Sequence, residues 1–430
     1  MPNAIVVGGG IAGLVMARDL ALGGLHVTLL EASDHLGGKV ARHTVAGIDL
    51  DAGAESFATR RNTVEDLAKQ LGLGADVARP NPRGAWLLTA EGLAHPMPRT
   101  GILGIPGIAL AADVIEVVGF WGALRGQLDA LMFGFAGSKE RNLGRLVRRR
   151  MGRRVLERLV APVTLGIHSR HPDELDVDVV APGLRAAMLS TGSLSNGVRS
   201  LRESAPAGTA VSGLVGGIFS LVEALTRDLE RFGVRVRLNS PVAAISASTA
   251  TLVDGQTLQA DTVVLAAPLT AEGAVAATAA IVLATLVVDA PELDAAPRGT
   301  GVLVARPPVG SQLQAKALTH GTAKWDWLAA RAARHRHVLR LSYDGAVAEK
   351  FTDSELRDLA LRDAGVLLGV ALTATSVVEF ARVHWSAPAD RPAPIEGVTV
   401  IGEGVAGTGL AAVIAQVRLE SGRLLKNMGA

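Results

Sequence analysis

Apolar positions first arrive as an unbroken run, Ala4 to Val7, the pattern of a strand buried on both faces rather than of a half-exposed one. Glycines follow, then helical periodicity from Leu14 to Leu22 closed by Gly23-Gly24, then a second continuous run from His26 to Leu30. The spacing predicts strand, turn, helix and strand in a parallel βαβ unit. Thr63 to Leu71 places Val64, Leu67, Ala68 and Leu71 on one helix face, and two short strands flank the Glu91-Gly92 turn. From Gly107 to Leu201 the pattern is mostly helical, with apolar helices over 108–120 and 124–135 and a basic helix over 141–159. Strand signals return at 234–238, 241–245, 252–254, 257–259 and 262–266, after a glycine turn and helix over 214–232. A second set, 280–289, 301–305, 313–317, 338–342 and 376–385, predicts another sheet, and 353–368 a helix capped by Asp353 or Ser354. Val398 to Ile401 reads as a last buried strand, Gly402 to Gly409 as a glycine turn, and Leu410 to Lys426 as a closing helix. The class is α/β.

The first glycines carry chemistry. Gly8, Gly10 and Gly13 have GxGxxG spacing between a strand and a helix, and Glu31 ends the second strand. In this context Gly8 permits the tight turn, Gly10 lets backbone approach a pyrophosphate, and Gly13 lets the helix pack closely. Free N–H groups and the positive dipole end of the helix would meet the phosphates, and Glu31 would accept from an adenosine ribose. The alternative is a glycine-rich turn without a ligand; both strands, the helix and the acid weigh against it. Ser33 to Lys39, SDHLGGK, then adds a second glycine pair and a cation, which points to FAD rather than NAD.

The next blocks are DAGAESFATRR from Asp51, HPMPRTGILGIPG from His95, LVAPVTLGIHSRHPDEL from Leu159 and VIGEGVAGTGLAAVIAQ from Val400. In this order, and over nearly the whole chain, they resemble the flavin amine-oxidase superfamily and, within it, the bacterial coproporphyrinogen III and protoporphyrinogen oxidases. The resemblance implies a discontinuous Rossmann-like FAD-binding domain over 1–80, 208–270 and 392–430, with insertions. These are a mixed-sheet substrate domain over 81–106 and 271–391 and a helical subdomain over 107–207. It implies FAD contacts from Gly8, Gly9, Gly10, Ile11, Ala12, Gly13, Glu31, Ala32, Gly37, Gly38 and Lys39. Gly53, Ala54, Glu55, Ser56, Val242 (beside the adenine), Gly402, Glu403, Gly409 and Leu410 join them. The closing helix would direct its N-terminus at the flavin ring and favour negative charge there. Glu403 departs from the small or amide residue expected, and its charge would turn to a ribitol hydroxyl or a nearby N–H. Arg61 stands where the family has a basic residue that handles substrate, and Arg99 is a further candidate; a plain surface arginine pair, Arg60 and Arg61, is the competing reading.

The activity implied is oxidation of coproporphyrinogen III to coproporphyrin III with dioxygen, in haem biosynthesis. The alternatives are protoporphyrinogen IX oxidation, another oxidase or desaturase of the superfamily, and a flavin-binding protein without turnover. The segments after Pro388 and between Pro268 and Gly301 look shorter than in the family, which touches the substrate side and not the FAD side.

Composition narrows the rest. The 430 residues include no cysteine, which excludes disulfides, thiolate metal sites and cysteinyl-flavin linkage. No H-E-x-x-H or G-x-S-x-G is present, so no metal is expected and redox chemistry falls to the flavin. A formal charge of +2 argues against nucleic acid as a partner. The N-terminus reads as the first strand and not as a leader, and 273–288 as helix end plus strand and not as a membrane span, so a cytoplasmic location is expected. Arginines 145, 148, 149, 150, 153, 154 and 158 suit a solvated helix face, an anionic lipid surface, a partner protein of the haem pathway or attraction of a carboxylate-rich substrate. His335 and His337 read as solvated. Oligomeric state is left open.

Overall fold

A computed structural model of the chain describes residues 2–59, 62–98, 101–168, 170–203, 211–268, 280–386, 394–407 and 409–429. Arg60, Arg61 and Arg99 lie outside these residues, as do the segments 269–279 and 387–393. The chain forms two compact units: Met1–Pro80 with Thr209–Ala280 and Trp385–Ala430, and Asn81–Gly208 with Ile281–His384.

The first unit is built on a five-stranded sheet. Its first strand is β1 (Asn3–Val7), followed by helix α1 (Ile11–Leu22) and β2 (His26–Leu30). The sheet order is Arg235–Arg237, β2, β1, Thr262–Leu265 and Thr399–Val400, all parallel. The continuous apolar runs have the physical cause expected of them, cover on both faces. Ala4, Val6, Val27, Leu29 and Val264 pack under α1, Phe219–Arg231 and Leu410–Asn427. Their neighbours Ile5, Val7, Leu30, Val263 and Leu265 pack against the antiparallel strands Val242–Ile245 and Thr249–Leu252.

The second unit holds a seven-stranded mixed sheet, ordered Val377–Ser386, Ala280–Asp289, Arg336–Asp344, Ala317–His320, Gly301–Val304, Trp86–Leu88 and Ala94–Pro96. Helix Asp353–Leu368 buries Leu356, Leu359, Ala360, Ala364 and Leu367 against the sheet residues Val282, Leu286, Leu339 and Leu341. A separate core of Val114, Val117, Leu146, Val147, Met151, Leu159 and Met188 holds the helices of 112–203 together and includes Leu87 of the sheet.

Several expectations are corrected. Residues 313–316 are not strand; the strand is Ala317–His320. Thr352, and not Asp353 or Ser354, caps the helix, in a reciprocal box with Glu355. The helix expected over 108–120 begins only at Ala112, and that over 124–135 becomes the helix Phe120–Gln127 followed by the single 3-10 turn Leu128–Leu131. The basic helix over 141–159 breaks at Gly152, whose φ of +89° leaves the helical region. Nor is it uniformly solvated. Arg150 is fully buried, its Nε 2.5 Å from the equally buried Asp129, and its other nitrogens donate to the carbonyls of Phe133, Ala136, Asp129 and Gly192. Every lone pair and proton of that pair is occupied, which is what a buried charge needs.

His337 is buried as well, on Arg336–Asp344, with His320 Nε2 3.1 Å from its Nδ1 and Asp294 3.0 Å from its Nε2. Burial, together with the adjoining His337 and Arg83, pushes the His320 imidazole down to about 3. Burial also lowers His337 against the pull of Asp294. His335, by contrast, is half-exposed, with Asp294 at 2.6 Å.

Candidate functional site

The glycine turn after β1 gathers the predicted residues. Gly8 has φ +107°, and a Cβ there would lie 2.9 Å from the carbonyl oxygen of Ala266. A Cβ on Gly13 would lie 1.8 Å from the Gly8 carbonyl oxygen, so α1 meets β1 backbone to backbone. Gly10 is the N-cap of α1, makes no side-chain cap, and has nothing within 4 Å of the place a Cβ would take. No side chain caps the first N–H groups of α1, and Ile11 and Ala12 are buried in the core behind them.

The second glycine pair sits on the first. Gly37 bridges Gly10, its N–H donates to the Gly9 carbonyl at 2.9 Å, and Gly38 approaches the Gly10 Cα. Glu31 closes the side of this turn. Its Oε2 accepts from the Gly9 N–H at 2.6 Å, and its Oε1 from the Ser33 N–H at 2.8 Å and hydroxyl at 2.7 Å. Ala32 is exposed beside it. The backbone of 237–240 is tied to the same place: Glu31 N–H donates to Arg237, and Ser240 N–H to Glu31. This sets the start of the strand that carries Val242, whose side chain is buried against the sheet.

Two distant segments join. Gly53 leaves no room for a side chain, since a Cβ there would lie 2.1 Å from the Lys39 carbonyl oxygen. The following Ala54, Glu55 and Ser56 are half-buried. Trp385 Nε1 donates to the Ala52 carbonyl at 3.0 Å, and Asp51 accepts the N–H groups of Ile218 and Phe219, each at 3.0 Å. At the other end of the chain, a Cβ on Gly402 would lie 3.6 Å from the Ala12 Cβ, at the start of α1. The turn 402–409 is not plain loop, because Glu403–Ala406 forms one helical turn. Gly409, at φ +107°, caps the closing helix with open space around it, and Leu410 is buried under it.

Glu403 does not turn to a nearby N–H. Its carboxylate lies 2.6 Å from Lys39 Nζ, so these two predicted residues neutralise each other. The cation of the second glycine block and the acid of the last one form a single link. Sequence reading also missed Ser33 and Gln416. The Glu-x-Ser spacing is a signal for the first, since a serine two residues on commonly folds back on such a group. Gln416, whose Oε1 accepts from the Gly402 N–H at 3.2 Å and whose amide donates to Val400, lay in the quoted block without a role.

The donor set suits a dinucleotide: an uncapped helix start, a glycine left open where a Cβ would fill the cradle, and a carboxylate fixed at the end of β2. Among the described residues no cluster of His, Cys, Asp or Glu is arranged to hold a metal ion. No helix among them is long and apolar enough to cross a membrane.

Known proteins resemble the chain over much of its length. The chain is 30% identical to the coproporphyrinogen III oxidase of Mycobacterium leprae over 86% of its own length and 84% of that protein. It is 28% identical to the coproporphyrinogen III oxidase of Propionibacterium freudenreichii subsp. freudenreichii over 61% of its length, which is a little over half, 56%, of that relative. Among solved structures, a protein from Exiguobacterium sp. 255-15 provisionally named a protoporphyrinogen oxidase superposes with a TM-score of 0.79, at 25% identity, over 99% of both chains. The profile of the flavin containing amine oxidoreductases matches residues 11–394. With most of its length so matched, the chain belongs to the flavin containing amine oxidoreductase family, and it is an oxidoreductase whose cofactor is FAD.

Proposed function

We propose that the protein oxidises coproporphyrinogen III to coproporphyrin III with dioxygen as acceptor. The observation that carries this reading is the alignment with the Mycobacterium leprae relative, which bears that activity in its name and matches 86% of the chain. Coproporphyrinogen III gives up six electrons and six protons, and three dioxygen molecules become three of hydrogen peroxide. FAD, when bound, supplies the two-electron chemistry between the organic substrate and dioxygen.

The chain's own residues do the holding. The N–H groups at the start of α1 receive the pyrophosphate, which Gly10 lets approach the backbone, while the Gly8 and Gly9 N–H groups are taken up by Leu30 and Glu31. Glu31 is oriented by Gly9 and Ser33, which leave one lone pair, on Oε2, to accept from the ribose. Lys39 is held by Glu403, so it positions the turn of the last block more than it adds net charge to the phosphates. Val242 lines the adenine side, Gly53 to Ser56 the flavin side, and Gly402, Gly409 and Leu410 bring the closing helix toward the flavin ring. Arg61 meets a substrate propionate, a charge-assisted pair worth roughly 1.5–3 kcal/mol.

Anaerobic mixing with coproporphyrinogen III tests the reading. The yellow colour should bleach, and porphyrin fluorescence should follow on admitting air. Arg61→Ala should lower kcat/KM by about one to two orders of magnitude with flavin content unchanged, and Arg61→Lys should recover part of the loss. Unchanged kcat/KM in Arg61→Ala removes that residue from the site. A second reading, protoporphyrinogen IX, has the name of the Exiguobacterium structure behind it. A higher kcat/KM on that substrate, which carries two fewer propionates, would favour it.

A further inference from the structure

At one end of the seven-stranded sheet, two histidines meet in the interior. His320 closes the strand Ala317–His320 and is fully buried, and His337, near the start of Arg336–Asp344, is 8% exposed. Their rings lie edge to face at 5.1 Å between centroids, and Thr322 Oγ1 lies 3.2 Å from His337 Nδ1. A file of side chains leads from them to the surface, from His337 to Asp294 and from Asp294 to the half-exposed His335. His320 Nδ1 is buried and has no hydrogen-bond partner among the described residues.

Asp294 fixes where the protons sit. A carboxylate only accepts, so His337 donates to it from Nε2. Neutral His337 is then an acceptor at Nδ1, and His320 Nε2–H and the Thr322 hydroxyl both donate to it. His320 thus carries its one proton on Nε2 and leaves Nδ1 bare. This arrangement has no place for a further proton. On His337 Nδ1 it would face the His320 donor. On His320 Nδ1 it would make a cation in the core, near Arg83 and without an acceptor among the described residues. The other charges facing the pair are Asp294 from the segment 290–300, His335, and Asp289 at the end of Ala280–Asp289, where Arg336 meets it at 2.9 Å.

Asp294 belongs to a segment with few other ties. Ala290 N–H donates to the His335 carbonyl and Thr300 N–H to the Gly84 carbonyl, each at 2.8 Å, and Arg83 donates to the Ala295 carbonyl at 2.9 Å. We propose that the neutral His320–His337 pair is an acid-sensitive latch that ties 290–300 to the sheet through Asp294, and that proton uptake by the pair releases this segment ahead of the rest of its unit. The sign follows from the buried ring. His320 ordinarily titrates at 6.5 and in the fold stays neutral down to about 3, so the latch is at full strength above pH 6.5 and weakens as pH falls toward 3. A charged His335 would keep its bond to Asp294, so the acid response belongs to the inner pair. The latch does not depend on which substrate the flavin serves.

Native-state proteolysis of the FAD-loaded protein tests this. The Arg298 guanidinium donates to the Val366 and Leu367 carbonyls, so trypsin can cut after Arg298 only when the segment has opened. Divided by the cleavage of a matching unstructured peptide, the rate should rise about tenfold or more from ~pH 7.5 to ~pH 5.5, since the lower value lies one unit under the ordinary histidine value. Cleavage after Arg357 and Arg362, in the helix Asp353–Leu368 of the same unit, should not follow it. His320→Gln keeps an N–H donor for His337 but takes up no proton, so it should remove most of the rise, with flavin absorbance and Tm at neutral pH as controls on folding. Wild-type cleavage after Arg298 that stays constant over this range overturns the proposal. A rise shared equally by Arg357 and Arg362, or one that His320→Gln retains in full, overturns it too.

Discussion

Helix α1 and the helix Asp353–Leu368 face the same problem at their first turns and meet it in opposite ways. Every helix begins with N–H groups that have no partner within it. At Asp353, Thr352 accepts from Glu355 N–H and Glu355 reaches back to the Thr352 N–H and hydroxyl, so the end is closed by its own residues. At Ile11 the cap is Gly10, with no side-chain acceptor and nothing near the place of a Cβ. Other helices here also start without a side-chain cap, but at α1 the glycine turn and the open space at Gly10 leave room for an external acceptor. The glycines around the open end also differ from one another: Gly13 is required by the chain itself, and Gly10 by what the chain binds.

Substitution can break that distinction. Gly13→Ala should have the largest effect, because its methyl would fall 1.8 Å from a backbone oxygen and α1 would have to leave β1. A loss on the order of 4 kcal/mol or more is expected, read as a collapse of Tm or of soluble yield with or without flavin. Gly10→Val should behave otherwise. Its backbone, φ −70° and ψ 177°, is open to any residue, so the purified protein should fold with a Tm close to that of wild type stripped of FAD. It should carry no flavin, since the new side chain fills the cradle. A yellow, fully loaded Gly10→Val protein would sink the cofactor placement. Thr352→Ala should cost about 1 kcal/mol in chemical denaturation and leave flavin content untouched.

The smallest effect is in the acid limb. The Thr352 N–H and hydroxyl hold the Glu355 carboxyl below its ordinary value of 4.5. The folded value is depressed, so the contribution is complete above pH 4.5 and fades as pH falls through the lower folded value. Melting curves of wild type and Glu355→Ala should therefore converge in that range, and parallel curves down to the acid limit would show that the Glu355 carboxylate adds nothing to the cap.

What was legible in the sequence follows from how local the cause was. β1, α1 and β2 could be placed because two apolar runs, a glycine spacing and a terminal acid lie within 28 residues, from Ala4 to Glu31. The Lys39–Glu403 link could not, since its partners are 364 residues apart and each alone suggested a contact with ligand. Arg150 looked like its neighbouring arginines, and only the fold brings Asp129 and four carbonyls around it. His320 and His337 lie 17 residues apart and meet only because Ala317–His320 and Arg336–Asp344 pair in one sheet. The Gly152 break was missed because charge, not backbone conformation, dominated the reading of 141–159.

Arg150 has a consequence for time as well as for structure. The stretch 132–139 has no regular secondary structure, and such segments ordinarily sample many shapes and lose that freedom when something binds them. Here a single guanidinium grips the carbonyls of Phe133 and Ala136 from within, next to the stacked rings of Phe133 and Phe135. The freedom is surrendered during folding. Amide exchange over 132–139 should then follow opening of the helices around Arg150 and not local fluctuation of the loop.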